Sequence, residues 1–161
     1  MKETLGEMKG ERIGLRALAE SDVALVCSWR NDPDTGRFFY RKRIDPPEYS
    51  AWMKEVAANP DEELFGIVDA ETGNLLGTLI YRIEKGTDEK EYATIGIMIG
   101  GKTERGRGYG REAMELITKA LREKRGVSKF RVEVLSENKD AIEFYKRIGF
   151  EEESIVMKKE T

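Results

Sequence analysis

The residues best suited to chemistry are concentrated in the segment Arg105-Gly106-Arg107-Gly108-Tyr109-Gly110, where glycines alternate with basic and aromatic residues. Glycines let a backbone approach a ligand closely and leave its amide groups pointing toward it. An amphipathic helical pattern begins near Tyr109, and the free amides and dipole of a helix start favour anions. Lys102 and Arg111 add positive charge beside the segment. The pattern therefore predicts a site for a phosphate or pyrophosphate group.

Two other interpretations of this segment stay open. One is a solvated basic surface turn. The other is a dinucleotide-binding oxidoreductase, because Gly108, Gly110 and Ala113 also fit the fingerprint G-x-G-x-x-G/A and Glu133 follows after a predicted strand. Three features count against a dinucleotide fold. A polar gap separates the segment from the preceding strand, and the first half of the chain is predicted to be antiparallel. The residues after the segment leave room for only one βαβ unit. A Walker loop is excluded because no Gly-Lys-Ser/Thr follows.

Composition narrows the possible chemistry further. The sequence has no histidine and one cysteine, Cys27, which we expect to be an inert core residue. Ser-His-Asp triads, Cys-His pairs, internal disulfides and the usual zinc centres are therefore excluded, and no metal is expected. General acid or base work falls to Glu, Asp, Tyr, Lys or water. With a net charge of −3 no overall field attracts nucleic acid, so an anion needs a local basic patch.

The length of 161 residues predicts a single domain, 1–161, with a core of its own. Its apolar runs are far shorter than the roughly 20 residues of a membrane span. The first residues are too polar for a secretory signal. We therefore expect a cytoplasmic protein that binds neither membrane nor nucleic acid. A monomer or a homodimer is expected, although no sequence feature distinguishes the two.

Hydrophobic periodicity and turn residues predict an α/β (mixed α+β) domain, antiparallel in its first half and with a βαβ crossover in its second. Gly126 and Gly149 are the expected ends of the last two helices. The predicted strands lie at about 11–17, 63–69, 75–84, 91–100, 129–135 and 155–157, and the predicted helices run from Ser21 or Asp22 to Asn31, from Asp45 to Asn59, over 109–124 and over 139–148.

Several of these motifs resemble those of the GNAT superfamily of N-acetyltransferases, most closely its ribosomal-protein N-terminal (Rim-like) branch, with spermidine and aminosugar acetyltransferases as relatives. The family's pyrophosphate signature Gln/Arg-x-x-Gly-x-Gly/Ala is met by Arg105, Gly108 and Gly110. The resemblance spans nearly the whole chain. The other matching segments are the strand Ile95-Gly96-Ile97-Met98-Ile99-Gly100, the helix end Ser28-Trp29-Arg30-Asn31-Asp32-Pro33, and Asn138 with Ala141, Tyr145 and Gly149-Phe150.

The resemblance implies a GNAT-like fold, in which a central mixed, mostly antiparallel sheet splays open between two late parallel strands and about four helices flank it. Acetyl-CoA is then the expected cosubstrate and lies in that opening. The amides near Ile97 and Ile99 would polarise the thioester carbonyl, Asn138 would bond the CoA arm, and Tyr145 would protonate the departing thiolate. The expected cofactor-binding residues are Ile97, Met98, Ile99, Arg105, Gly106, Arg107, Gly108, Tyr109, Gly110, Arg111, Asn138 and Tyr145.

Tyr145 and Asn138 also have plain structural interpretations. A phenol with a pKa near 10 stays protonated at neutral pH, so Tyr145 suits an acid, but its position equally suits an amphipathic core residue. Asn138 suits a helix N-cap, which is compatible with bonding the CoA arm.

One departure from the family pattern concerns the general base. The branch often has Ala-Glu-Ile-Gly where this chain has Ala93-Thr94-Ile95-Gly96, and threonine cannot act as a base at pH 7. Glu84 or Glu91 is the candidate substitute, with Thr94 as a possible relay for a water molecule; both glutamates otherwise fit solvated strand ends.

The missing base bears on the acceptor. Deprotonating a lysine (pKa about 10.4) at neutral pH costs roughly 3 kcal/mol more than deprotonating an α-amine (pKa about 8). We therefore expect a peptide N-terminus or an aminosugar to be preferred to lysine. A CoA-binding sensor or scaffold with impaired catalysis is the alternative function.

The stretch 32–45 lies where the family builds its acceptor pocket. Its aromatic side chains suit stacking on an acceptor, and its basic side chains suit binding an acidic or phosphorylated one, although charge runs are usually solvated. The expected acceptor-binding residues are Trp29, Arg30, Phe38, Phe39 and Arg41, with Arg37, Tyr40, Lys42 and Arg43 as neighbours.

Overall fold

The computed structural model describes residues 2–39, 43–101 and 104–161. Within these ranges a short 3-10 turn, Glu20–Asp22, leads into the first of four α-helices. The elements in chain order are β1 (Met8–Lys9), β2 (Ile13–Ala17), α1 (Val23–Asn31), α2 (Pro46–Ala58), β3 (Glu62–Asp69), β4 (Leu75–Lys85), β5 (Glu91–Ile99), α3 (Tyr109–Arg125), β6 (Phe130–Arg131) and α4 (Lys139–Arg147).

The six strands form one sheet in the order β1-β2-β3-β4-β5-β6. Every neighbouring pair is antiparallel except β5 and β6, which are parallel and joined by α3. The β5–β6 ladder has two rungs, Ala93 with Phe130 and Thr94 with Arg131. Over residues 95–99, β5 stays paired with β4 on one edge and has no described strand on the other. We call this gap beside residues 95–99 the strand opening. The predicted mixed, mostly antiparallel sheet is confirmed, and its single parallel pair cannot make the doubly wound sheet of the dinucleotide alternative.

Side chains alternate between two cores, one on each face of the sheet. The larger core packs α3 against β2 to β5 and contains Tyr81 and Ile95. The smaller core lies under α1 and α2 and reaches the sheet at Met98. Cys27 is buried in the smaller core, and burial raises the pKa of its thiol. Cys27 is thus the core residue that the sequence predicts.

Helix α3 ends where the sequence predicts, because Gly126 adopts the left-handed conformation (φ +68°) that terminates a helix. The β3–β4 turn is closed by Asp69, whose carboxylate accepts hydrogen bonds from the amides of Glu71 (2.8 Å) and Thr72 (2.9 Å). These contacts lower the pKa of Asp69.

The predicted last strand at 155–157 is wrong: Ile155, Val156 and Met157 are 85%, 93% and 88% exposed, and no strand forms there. The predicted strand 129–135 is also reduced to Phe130–Arg131. Both errors have one cause, since a strand needs a partner edge and the ladder beside β5 ends at Arg131.

None of the described helices has both the length and the apolar character needed to cross a bilayer. Over the same parts of the chain, no three His, Cys, Asp or Glu side chains are arranged to hold a metal ion.

Candidate active site

The strand opening exposes backbone amides of β5. The amide of Ala93 donates to the carbonyl oxygen of Lys129 at 2.9 Å and so points toward β6. The amide of Gly100 donates to the carbonyl oxygen of Leu76 at 2.7 Å and so points toward β4. Amides alternate in direction along a strand, so those of Ile97 and Ile99 share the direction of Ala93. No described strand lies opposite them. Two donors therefore face the opening, while Met98 between them turns its side chain into the smaller core.

The second part of the site is the glycine loop, residues 105–110, at the start of α3. Gly106 (φ +75°) and Gly108 (φ +84°) both adopt left-handed conformations that other L-residues avoid. Gly108 is the N-cap of α3 and has no side chain to bond the free amides of the first turn. Gly110 lies against α4, since a Cβ atom there would be 3.3 Å from Cζ of Phe144. The loop therefore presents the first-turn amides of α3, which lack a side-chain cap, in a geometry suited to an anion.

Two residues that the sequence analysis missed hold this loop in place. Arg12 donates from Nη1 to the carbonyl oxygen of Arg107 at 2.6 Å, and its guanidinium lies 5.3 Å from the ring centre of Tyr109. Glu112, in the first turn of α3, accepts at Oε1 from the amides of Glu11 (2.8 Å) and Arg12 (2.9 Å). The loop is thus tied to the residues that precede β2. Only the position of Glu112 in a first helical turn could have drawn attention to it.

We predict that Glu112→Ala destabilises the domain by about 2 kcal/mol, because it removes a charged acceptor from two backbone amides. It should also weaken anion binding by the loop, which loses its attachment to the residues before β2. Glu112→Gln is the matched control, since both hydrogen bonds end on one oxygen that the amide side chain retains. Urea unfolding of the two variants measures the difference, and equal losses of stability would contradict the assigned role.

Of the predicted acceptor residues, Trp29 lies next to the glycine loop. The indole of Trp29 packs on Gly100 so closely that a Cβ atom there would lie 2.2 Å from Cε2. Arg105 donates from Nη2 to Oγ1 of Thr35, joining the loop to the segment after α1. A cleft of about 420 Å³ lies between Trp29, the β3–β4 turn, Arg107 and Tyr109.

Arginine–aromatic contacts order the rest of that segment. The guanidinium of Arg30 lies 4.5 Å from the ring centre of Phe39, and that of Arg37 lies 5.1 Å from the ring centre of Phe38. Arg41 lies outside the described residues, as do Tyr40, Lys42 and Lys102. Arg111, on the first turn of α3, pairs with Glu115 at 3.3 Å.

Asn138 and Tyr145 lie on α4. Asn138 is its N-cap, accepting at Oδ1 from the amide of Ala141 at 3.2 Å, and its Nδ2 group is a donor that the cap does not use. The ring of Tyr145 packs 5.1 Å from Phe144 and 5.6 Å from Phe150, against the larger core. Burial raises the pKa of Tyr145 to about 12, so its phenol keeps its proton well above neutral pH.

Thr94 and Glu84 meet on the face of the sheet to which Met98 also belongs. Thr94 donates from Oγ1 to Oε2 of Glu84 at 2.6 Å, and Nε of Arg82 lies 3.2 Å from the other carboxylate oxygen. The hydrogen bond from Thr94 and the charge of Arg82 lower the pKa of Glu84. Glu91 pairs with Lys85 at the exposed start of β5 and alternates onto the opposite face. Of the two candidate bases, the structure thus brings Glu84 to Thr94 and keeps Glu91 away.

This combination of split parallel strands and a glycine loop at a helix start has a counterpart among known proteins. The family model described as "Acetyltransferase (GNAT) domain" matches residues 12–151, and the chain belongs to that family. The matched range includes the glycine loop and all of α4.

Individual relatives agree with this assignment. The chain is 34% identical over 128 residues to an uncharacterised N-acetyltransferase of Methanocaldococcus jannaschii, covering 74% of the chain and 51% of that relative. The chain thus spans about half the length of that relative.

Two solved structures share the fold. A GNAT-family acetyltransferase from Bacillus anthracis has a TM-score of 0.77 at 16% identity, covering 92% of this chain and 85% of that one. The spermidine N-acetyltransferase from Vibrio cholerae, in complex with CoA and spermine, has a TM-score of 0.77 at 22% identity, covering 90% and 84%. The predicted GNAT fold is confirmed. The Rim-like branch stays a prediction, because these matches do not separate it from other branches.

Proposed function

We propose that this domain transfers the acetyl group of acetyl-CoA directly to a primary amine, without a metal or a covalent enzyme intermediate. The observation that carries the proposal is the pair of β5 amides, of Ile97 and Ile99, which face the strand opening on the strand that leads into the glycine loop. An extended pantetheine arm has the hydrogen-bonding groups to pair with such an edge. The amides of the glycine loop suit the pyrophosphate.

The chain's own groups supply the chemistry of the transfer. As the amine nitrogen bonds to the carbonyl carbon, negative charge grows on the carbonyl oxygen, and the Ile97 or Ile99 amide stabilises it. The C–S bond then breaks, and Tyr145 hydrogen-bonds the leaving sulfur. A phenol with a pKa of about 12 is a weaker acid than a thiol near 8.5, so we assign Tyr145 a charge-assisted hydrogen bond rather than an early, complete proton transfer.

Glu84 is our proposed proton acceptor, acting through Thr94 or a water molecule beside it. Because its pKa is lowered, Glu84 is a weak base, and it removes a proton readily only from an amine that is itself weakly basic. This supports a peptide N-terminus or an aminosugar over lysine. The cytoplasmic location and the monomeric or homodimeric state stay predictions.

The pH dependence of kcat/KM tests the acceptor class. A carboxyl with a lowered pKa is ionised from about pH 5 upward, so Glu84 contributes no change between pH 6 and 9. We expect kcat/KM to rise with pH as the acceptor amine loses its proton. For a peptide N-terminus the profile should level off with an apparent pKa near 8, whereas for a lysyl peptide it should reach no plateau below about pH 10.

The acceptor class is tested by measuring rates of CoA release from pH 6 to 10 with the two peptides and with an aminosugar. A lysine preference at pH 7 would overturn the proposed acceptor class. An acid limb at one fixed pH for every acceptor would show that an enzyme group titrates instead.

A further inference from the structure

We propose that Arg131 anchors a carboxylate of the acceptor, so that the domain favours amines carrying a carboxylate a few bonds away, such as the α-amine of an N-terminal aspartate. This inference rests on the proposed function and adds a substrate class to it. It concerns a residue of β6 that none of the family motifs includes.

The register of the sheet puts Arg131 beside the proposed reaction centre. Thr94 pairs with Arg82 on β4 and with Arg131 on β6, so two guanidinium groups flank it on one face. Side chains directly opposite each other on neighbouring strands are about 5 Å apart at Cβ. The rung between Thr94 and Arg131 is the last before the strand opening.

The guanidinium of Arg131 is held ready for a ligand. Its Nη1 donates to the hydroxyl of Tyr92 at 2.9 Å, and the guanidinium carbon lies 5.1 Å from the centre of the same ring. Two contacts to one rigid side chain restrict its rotation, which reduces the entropy lost on binding. The planar guanidinium suits two-point binding of a carboxylate.

The carboxylate partners of Arg82 lie on strands of the sheet, whereas that of Arg131 lies outside it. Arg82 lies between Glu62 (3.8 Å) and Glu84 (3.2 Å), both on strands of the sheet. Arg131 has one carboxylate partner among the described residues, Glu153, with Nε to Oε2 at 3.3 Å. Glu153 is 60% exposed and lies after α4 in a segment without helix or strand. We interpret Glu153 as an exchangeable carboxylate that occupies the place of the acceptor's own.

An acceptor can reach this face of the sheet. Gly96 lies on β5 between Thr94 and Met98 and is exposed, so α1 and α2 leave this part of the sheet uncovered. If the acceptor's amine nitrogen approaches over Gly96, it comes to the strand opening. A carboxylate a few bonds away on the same acceptor then extends back toward Arg131. A compact amino-carboxylate therefore fits the spacing better than a long polyamine.

The test uses two acceptor peptides that differ only in N-terminal Asp or Asn, which have similar α-amines. We expect the chain to favour the Asp peptide by about tenfold in kcat/KM, through KM, as typical for a hydrogen bond to a charged group. Arg131→Gln should abolish the preference, and Arg131→Lys should restore part of it. Arg122→Gln, exposed on α3 across the sheet, is the matched control and should keep it.

Glu153→Gln tests whether Glu153 competes with the acceptor's carboxylate for Arg131. Removing the competing carboxylate should lower KM for the Asp peptide a few-fold and leave KM for the Asn peptide unchanged. Equal rates for both peptides, or an Arg131→Gln variant that still prefers Asp, would overturn the anchoring role while leaving acetyl transfer intact. Acetyl-CoA binding without acetylation of any amine would instead overturn the proposed function.

Discussion

Replacing Gly108 with alanine is expected to weaken acetyl-CoA binding by about tenfold or more. Gly108 has φ +84°, where a Cβ atom is strained, and that atom would also lie 2.7 Å from Nη2 of Arg12. Relief of either strain moves the amides that begin α3, or the arginine that holds the carbonyl oxygen of Arg107. Isothermal titration with acetyl-CoA measures the loss.

The matched control is Gly126→Ala at the other end of the same helix. Gly126 has φ +68°, and a Cβ atom there would have no neighbouring atom within 4 Å, so alanine brings backbone strain alone. Both variants should lose about 1–2 kcal/mol of stability, but only Gly108→Ala should lose acetyl-CoA affinity. If the two variants bind acetyl-CoA equally well, the glycine loop is not the pyrophosphate site.

Tyr145→Phe is expected to lower kcat by about 100-fold, because it removes a hydrogen bond to the charged leaving sulfur, while leaving the affinity for acetyl-CoA nearly unchanged. Phenylalanine retains the packing against Phe144 and Phe150 and removes only the hydroxyl. Because burial raises the pKa of Tyr145 to about 12, the wild-type phenol stays protonated and the ratio of the two rates should be constant from pH 7 to 10. Pre-steady-state measurement of CoA thiol release gives both rates.

Tyr49→Phe is the control for that variant. Tyr49 is a buried tyrosine whose pKa burial also raises to about 12, but it lies in the smaller core with α1 and α2. The same atom is removed there without expected effect on kcat. A Tyr145→Phe variant that turns over as fast as Tyr49→Phe would remove Tyr145 from the mechanism.

The parts of the site that could be predicted from sequence are those whose chemistry is local. The glycine loop, the start of α3 and the Asn138 cap each depend on residues within one turn of each other. The helix ends at Gly126 and before Asn59 follow from the same local rules.

The missed contacts depend on which strands lie side by side. Glu112 reaches Arg12 across 100 sequence positions, and no periodicity in either segment indicates that contact. The flanking of Thr94 by Arg82 and Arg131 likewise depends on the register of three strands. That register also places Glu84, and not Glu91, beside Thr94, a difference that the sequence left open. Strand β1 was missed because two residues carry no detectable alternation.

The most direct test of acetyl transfer follows both products of a single incubation. Mixed with acetyl-CoA and a peptide with a free N-terminus, the chain should release one CoA thiol for each acetyl group that mass spectrometry finds on the peptide α-amine, with no acetyl group on the chain. Binding of acetyl-CoA without thiol release would support the impaired sensor instead. Thiol release without an acetylated amine, or an acetyl group on the chain itself, would contradict direct transfer to an amine.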